Sequence, residues 1–336
     1  MENRLTDNII EQNRDVESFV VQGASGRCRP FKDKYKPLQF VHFADVHDKP
    51  EQWNRIVEYV NYYKDYISFA IHTGDYCGSS QLQYTDFYGE CHRCERPIYN
   101  CVGNHDTEAD ESWSKGKPNM SSKQGVYEKI FNHPDDWGSV QYMDGEYSMT
   151  YYLDIEASGI RVVVLDNYYD IAEQQEWLRS VLADANAKGC HVLTAVHEIT
   201  DYISSPVDTT FHTANDYLPI IGVDKKNPFE DIIADFIDEG GIHICNLAGH
   251  HHYDMFGFTQ RGVLNCAVEC ATTWDGWCDG RRIKETRTQD SFNVVGIDVN
   301  IGVLKLIRVG NNADIFLRRK QTMSYDYINK KLIYNG

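Results

Sequence analysis

The sequence predicts an α/β fold with parallel strands, because apolar strand-like segments alternate with helix-like segments near the N-terminus. The apolar stretch LQFVHFADVH is the first predicted strand, and ISFAIHTGD and PIYNCVGNHD are the second and third. Between the first two, PEQWNRIVEYVNYYKD places apolar side chains at the spacing of one helix face. These are Trp53, Ile56, Val57 and Val60. A βαβαβ order is typical of parallel strands joined by crossover helices.

The middle of the chain predicts a hairpin followed by more alternating elements. EYSMTYYLDIEASGIRVVVLDN is the hairpin, with Ala-Ser-Gly as its turn. A helix over AEQQEWLRSVLADANAKG should end at Gly189, and the strand HVLTAVH follows it. Residues 198–227 are expected to form a long functional loop. The helix PFEDIIADFIDEGG and the strand IHICNLAG come next, and short β-segments dominate from about residue 255.

The same pattern divides the chain into three parts. Residues 1–36 are polar and are expected to form an N-terminal extension or a short helix packed on the main domain. Residues 37–320 should form one catalytic domain, and residues 321–336 a C-terminal tail.

Composition excludes several classes of function. The 336 residues are 42% hydrophobic and 25% charged, which is typical of a soluble globular protein. No apolar run approaches the roughly 20 residues that span a bilayer, and the N-terminus lacks a signal-peptide pattern, so a cytoplasmic protein is expected. The net charge of −17 disfavours broad binding to nucleic acid.

The ten cysteines are scattered and are expected to be reduced. The pair Cys91 and Cys94 lacks a second CxxC that would indicate zinc.

Polar residues that can bind metals follow five predicted strands, each at its carboxyl end. They are Asp45 and His47, then Asp75, then Asn104, His105 and Asp106, then His197, and finally His250, His251 and His252. Each group alone has an ordinary explanation, such as a capping pair, a turn or a buried core histidine. The carboxyl ends of parallel strands converge on one crevice, so all five groups are expected to meet there. Their oxygen and nitrogen donors suit Mn, Fe or Zn.

The ordered series DVH (45–47), GD (74–75), GNHD (103–106), His197 and GHHH (249–252) resembles the calcineurin-like metallophosphoesterase family. The motifs span roughly residues 40–255. The resemblance implies a four-layered sandwich of two mixed β-sheets flanked by α-helices. It also implies two metal ions that clamp a phosphate ester and lower the pKa of a bridging water, whose hydroxide attacks phosphorus.

The resemblance further implies a role for each residue. One metal ion would be held by Asp45, His47 and His252, the other by Asn104, His197 and His250, with Asp75 bridging both. His105 would act as general acid or phosphate-oxygen donor, oriented by Asp106. Alternate side chains of an extended segment point the same way, so His251 should face away from its two neighbours.

The expected substrate is a small-molecule phosphate ester, either a monoester or a diester. Candidate substrate contacts are His212, Trp274 and Trp277, although the tryptophans could equally cover the core. Two alternatives remain: a nuclease acting on nucleic-acid ends, and a non-catalytic scaffold that keeps the fold. The sequence identifies no protein partner and predicts no membrane association.

Overall fold

Two β-sheets form the centre of the protein. A computed structural model describes residues 8–23, 33–77, 91–108, 121–131, 140–201, 203–204, 227–272, 282–311 and 322–335. The strands within these ranges are β1 (Leu38–Phe43), β2 (Ala70–His72), β3 (Ile98–Asn100), β4 (Val140–Tyr142), β5 (Tyr151–Ile155), β6 (Ile160–Val164), β7 (His191–Ala195), β8 (Ile203–Ser204), β9 (His243–Ala248), β10 (Met255–Thr259), β11 (Leu264–Ala267), β12 (Ser291–Asp298), β13 (Val303–Gly310), β14 (Thr322–Asp326) and β15 (Lys331–Asn335).

Helices flank these sheets. The α-helices of the described ranges are α1 (Ile9–Gln12), α2 (Glu17–Gln22), α3 (Pro50–Tyr62), α4 (Lys123–Ile130), α5 (Ile171–Lys188) and α6 (Glu230–Asp238). The predicted helix that begins at Pro50 and the one that ends before Gly189 are both present. Among the described residues, no helix has the length and apolar character needed to cross a membrane.

Both sheets are mixed, which confirms the expected fold class. The first sheet has the order β15-β14-β13-β12-β1-β2-β3, and the second has the order β4-β5-β6-β7-β9-β11-β10-β8. In the first sheet β1, β2 and β3 are parallel, as the βαβαβ pattern predicted, and the other strands are antiparallel. In the second sheet β6, β7, β9 and β11 are parallel. The carboxyl ends of seven parallel strands are therefore available to build a site.

Alternation along β6 shows how the second sheet is covered on both faces. Val162 and Val164 join the core between the two sheets, whereas Val163 joins a second cluster with Leu178 of α5 and Ile233 of α6. Successive side chains of a strand point to opposite faces, so one strand serves both layers. An uninterrupted apolar run such as VVVL, residues 162–165, is the sequence signature of this double burial.

The N-terminal residues belong to the body of the protein. Ile9, Val16 and Val20 have no exposed surface and pack into the core between the sheets and helices. The Asn13 side chain accepts a hydrogen bond from the Gly310 backbone N–H at 2.8 Å, which fastens this segment to β13. Residues 9–22 therefore form short helices that pack on the body of the protein.

The C-terminal residues do not form the expected tail. Residues 322–335 supply β14 and β15, which extend the first sheet from β13. Met323 and Tyr325 are buried, and the Tyr325 ring lies 5.1 Å from that of Phe256 in the second sheet. The segment TMSYD carries only two large apolar side chains, so its pattern did not reveal a strand that is stabilised by contacts distant in sequence.

We expect Tyr325→Ala to lower the free energy of unfolding by about 3–4 kcal/mol, because it removes a fully buried ring between the two sheets. The matched control is Ile333→Ala in β15, whose side chain is 55% exposed and whose loss should cost less than about 1 kcal/mol. Urea unfolding of both variants measures the difference. Equal costs would mean that β14 and β15 contribute little to the core.

Candidate metal centre

The predicted ligands meet where strand ends of both sheets converge. The loops after β1 and β2 are joined by a hydrogen bond from the Asp45 N–H to the Gly74 carbonyl at 3.0 Å. In the second sheet, the Gly249 N–H donates to the His197 carbonyl at 2.9 Å. The structure thus brings together all seven predicted metal ligands. They are Asp45, His47, Asp75 and Asn104 from the first sheet, and His197, His250 and His252 from the second.

One group of donors surrounds the imidazoles of His47 and His252. Their Nε2 atoms lie 2.9 Å apart. Asp45 Oδ1 is 3.6 Å from His252 Nε2 and 4.0 Å from His47 Nε2. With Asp75, these residues offer four ligand atoms within 4.8 Å of one another, a spacing that one metal ion could bridge.

A second group surrounds His197 and shares Asp75 with the first. His197 Nε2 lies 3.2 Å from Asp75 Oδ2 and 3.1 Å from Asn104 Oδ1. His250 Nδ1 lies 2.9 Å from the same Asn104 oxygen. Asp75, His197 and His250 form a separate candidate metal-binding group. Asp75 is the residue that belongs to both of these candidate groups.

The outer contacts of two histidines fit a metal site. His47 Nδ1 lies 3.2 Å from the Cys77 carbonyl, and His197 Nδ1 lies 2.7 Å from the Thr73 carbonyl. A ring that donates through Nδ1 to a carbonyl turns its Nε2 toward the site, where this nitrogen can bind a metal once it carries no proton. The residues present therefore fit a pair of ions bound by nitrogen and oxygen.

The backbone at the site adopts conformations that are rare for residues with a side chain. Five of the predicted ligands have φ between 50° and 68°: Asp45, His47, Asp75, His250 and His252. Such conformations cost energy and cluster at functional sites. The neighbouring glycines are needed for close approach, because a Cβ on Gly103 would lie 2.2 Å from Asp75 Oδ1. A Cβ on Gly249 would lie 2.7 Å from Asp45 Oδ2.

Burial and neighbouring charges set the protonation of the histidines at the site. It lowers the pKa of His47 to about 4 and the pKa values of His250 and His252 well below their usual range, so these three rings are neutral. Burial opposes protonation of His197 too, but the Asp75 carboxylate raises the pKa of that ring to about 10. Burial also raises the pKa of Asp45 well above its usual range. Neutral His47, His250 and His252 can bind a metal without losing a proton, whereas His197 must first lose one.

His105 lies beside the two groups and pairs with a carboxylate that the sequence analysis missed. Its Nε2 is 4.0 Å from Asp75 Oδ2, and its Nδ1 is 3.3 Å from Glu108 Oε1. Burial would lower the pKa of His105, but Asp75 and Glu108 raise it to about 9. Glu108 follows His105 by three residues at a short 3₁₀-helix, a spacing that could have identified the pair.

Asp106 has different contacts from those expected of a residue that orients His105. Its carboxylate accepts hydrogen bonds from the backbone N–H groups of Asp75, Cys77 and Gly103 at 3.0, 2.9 and 2.8 Å. These bonds hold the loop after β2 against the loop after β3. Asp106 therefore supports the backbone that carries Asp75, and Glu108 is the carboxylate paired with the imidazole.

Other predicted residues fall outside the site or outside the described ranges. His251 is buried beside His250 and belongs to neither group, and burial lowers its pKa to about 3. The three candidate substrate contacts, His212, Trp274 and Trp277, lie outside the described residues.

The protein has two mixed sheets, and their strand ends carry two candidate metal-binding groups that share one carboxylate. These features define a protein of the metallophosphoesterase type. The chain belongs to the calcineurin-like phosphoesterase family, whose model matches residues 38–254. This confirms the resemblance found in the sequence. No curated protein has a sequence that matches the chain.

Solved structures are similar in fold. A dimetal phosphatase from Danio rerio has 14% identity and a TM-score of 0.53, over 81% of this chain and 96% of that one. A predicted phosphoesterase from Streptococcus pneumoniae has 10% identity and a TM-score of 0.38, over 86% and 98%. The anchor in the inner membrane complex of Plasmodium has 10% identity and a TM-score of 0.42, over 89% and 88%.

Metal affinity should rise with pH, because a metal ion must displace the proton on His197, whose pKa is raised to about 10. Below that pKa the folded metal-free protein holds the proton, so the affinity should increase by up to about tenfold per pH unit per proton displaced. Isothermal titration calorimetry with Zn²⁺, repeated in buffers of different ionisation enthalpy, measures how many protons are released near neutral pH. A His197→Gln variant should release fewer; no proton release by the unaltered protein would contradict the assignment.

Proposed function

We propose that the protein is a dinuclear metal-dependent phosphoesterase that hydrolyses a small-molecule phosphate ester. The observation that carries the proposal is the shared position of Asp75, which belongs to both candidate metal groups. His105 directs its Nε2 at the same carboxylate, 4.0 Å away. A pair of metals and a protonated imidazole would then act on one phosphate.

The proposed ligand sets follow the two groups. One ion would be held by Asp45, His47 and His252, the other by Asn104, His197 and His250, and Asp75 would contact both. Such a pair supplies Lewis-acid polarisation of the phosphate and activation of a water. Oxygen and nitrogen donors suit Mn, Fe or Zn, and the buried setting strengthens each electrostatic contact.

His105 is proposed as the proton donor. Its side chain is 13% exposed, so it can reach a substrate while Glu108 holds the opposite ring nitrogen at 3.3 Å. A protonated Nε2 can give its proton to the leaving-group oxygen or donate a hydrogen bond to a phosphate oxygen. Asp106 would act indirectly, by fixing the backbone of Asp75 and Gly103.

The charge of the chain favours a small substrate over nucleic acid. A net charge of −17 repels the phosphodiester backbone of a nucleic acid, whereas two bound cations would attract a single phosphate locally. A panel of cyclic nucleotides, dinucleotides and glycerophosphodiesters would define the ester class.

The test begins with protein purified without chelator. We expect about two metal ions per chain by emission spectroscopy, and Mn²⁺-supported hydrolysis of aryl phosphomonoesters or phosphodiesters. Asp75→Asn should lose metal and activity together, since it weakens the carboxylate that both groups share. His105→Ala should keep the metal and lower kcat by roughly 10²–10⁴.

The matched control is His251→Ala, which removes a buried imidazole next to His250 without removing a proposed ligand. It should keep the metal content of the unaltered protein. Fewer than about one metal ion per chain, with no hydrolysis under added Mn²⁺, would reject the enzyme and favour a scaffold. Loss of both metals from His105→Ala would show that this histidine is a ligand.

Glu108→Gln should lower kcat by about 10- to 100-fold for esters with poor leaving groups, because the pair that holds and charges His105 is lost. Esters of acidic phenols need little proton donation and should be affected much less. The measurement is kcat for a series of esters whose leaving groups differ in pKa. As the leaving-group pKa rises, kcat should fall more steeply in the variant than in the unaltered protein.

The control for Glu108→Gln is Glu230→Gln, another buried glutamate, which accepts a hydrogen bond from Thr259 at 2.6 Å. This variant should leave the dependence of kcat on the leaving group unaltered. An equal loss for all esters in Glu108→Gln would assign Glu108 a purely structural role.

A further inference from the structure

A cysteine thiol lies at the first metal group, where the sequence motifs predict only oxygen and nitrogen donors. Cys270 Sγ and the ring nitrogens of His47 and His252 form a third candidate group, with all ligand atoms within 4.8 Å of one another. The three residues are buried. Cys270 therefore lies next to the same two imidazoles that, with Asp45, would hold the first ion.

The backbone around Cys270 is fixed by hydrogen bonds from several parts of the chain. The Ala271 N–H donates to the Ala44 carbonyl at 2.9 Å, which ties the segment after β11 to the end of β1. The Arg282 guanidinium donates to the Cys270 carbonyl and, at 2.8 Å, to the Ala271 carbonyl. The Gln52 side chain donates to the same Ala271 carbonyl at 3.1 Å. These contacts hold the thiol in place beside the histidines.

The thiol also contacts a proposed ligand residue directly. Cys270 Sγ donates a hydrogen bond to the backbone carbonyl of Asp45 at 3.0 Å. An S–H group is a weak donor, and this bond is lost at little cost when a stronger partner for sulfur arrives.

We propose that Cys270 is a protein ligand of the metal ion held by Asp45, His47 and His252. On binding, the S–H bond breaks, its proton leaves to solvent, and a metal–sulfur bond forms. The inference deepens the proposed function, since it depends on an ion at this site.

The extra thiolate makes the two sites chemically different. The first would combine nitrogen, oxygen and sulfur donors, whereas Asn104, His197 and His250 offer only oxygen and nitrogen. Soft thiolate ligands favour Zn or Fe over the harder Mn²⁺. The first site should thus select a thiophilic ion, while the second remains open to Mn²⁺.

X-ray absorption of the zinc-loaded protein tests the proposal directly. A Zn–S bond of about 2.3 Å separates from Zn–N and Zn–O bonds of about 2.0–2.2 Å. We expect a sulfur shell in the unaltered protein and its loss in Cys270→Ala and in Cys270→Ser. The matched control is Cys245→Ala, which removes another buried thiol, from β9, that joins no candidate metal group among the described residues.

Competition between Zn²⁺ and Mn²⁺ gives a second measurement. Cys270→Ser should lower the Zn²⁺ affinity of the first site by at least about 10-fold while changing the Mn²⁺ affinity much less. Two zinc ions without a sulfur shell would overturn the role of Cys270 and leave the proposed function standing. Protein that binds no zinc would overturn both, and a sulfur shell retained in both Cys270 variants would overturn the inference alone.

Discussion

The site depends on burying one carboxylate, that of Asp75, just after the short strand β2. An isolated carboxylate in a protein interior is strongly disfavoured unless charges and hydrogen bonds offset its lost hydration. Here the His105 backbone N–H donates to Asp75 at 2.9 Å, and the charged His197 ring lies 3.2 Å away. Burial would raise the pKa of Asp75, but His197 and His105 hold it well below the usual range. The neighbouring groups are therefore arranged around a charge that stays ionised.

The strained backbone and the glycines follow from the same constraint. Several strand ends must bring their side chains to one carboxylate, and ordinary extended geometry would carry the chains apart. The left-handed conformations at Asp45 and Asp75 turn each chain sharply where its strand ends. Gly103 lets the third strand's loop touch Asp75, which no residue with a Cβ could do. Asp106 then locks the two loops together through three backbone donors.

Sequence patterns could predict the parallel strands of the two sheets and the candidate ligands at the carboxyl ends of these strands. Each such strand is a short apolar run that stops at a polar residue. Parallel strands place these carboxyl ends at one edge of each sheet. Glu108 and Cys270 escaped because they lie outside the predicted strand-end motifs. Cys270 reaches the histidines only through the pairing of β11 with β9, which is set by contacts distant in sequence. Likewise, β14 and β15 carry too few large apolar side chains to be recognised without β13 beside them.

Each sheet supplies part of the candidate metal centre, so this centre is also a contact between the two sheets. The first sheet contributes Asp45, His47, Asp75 and Asn104, and the second contributes His197, His250 and His252. Among the described residues, the interactions across this contact include the ion pair between His197 and Asp75 at 3.2 Å and the hydrogen bond between His197 Nδ1 and the Thr73 carbonyl at 2.7 Å. An ion bound to both sheets binds only the folded state, so its affinity adds to stability by mass action. The geometry that would serve hydrolysis thus also fastens the two halves of the sandwich at their common edge.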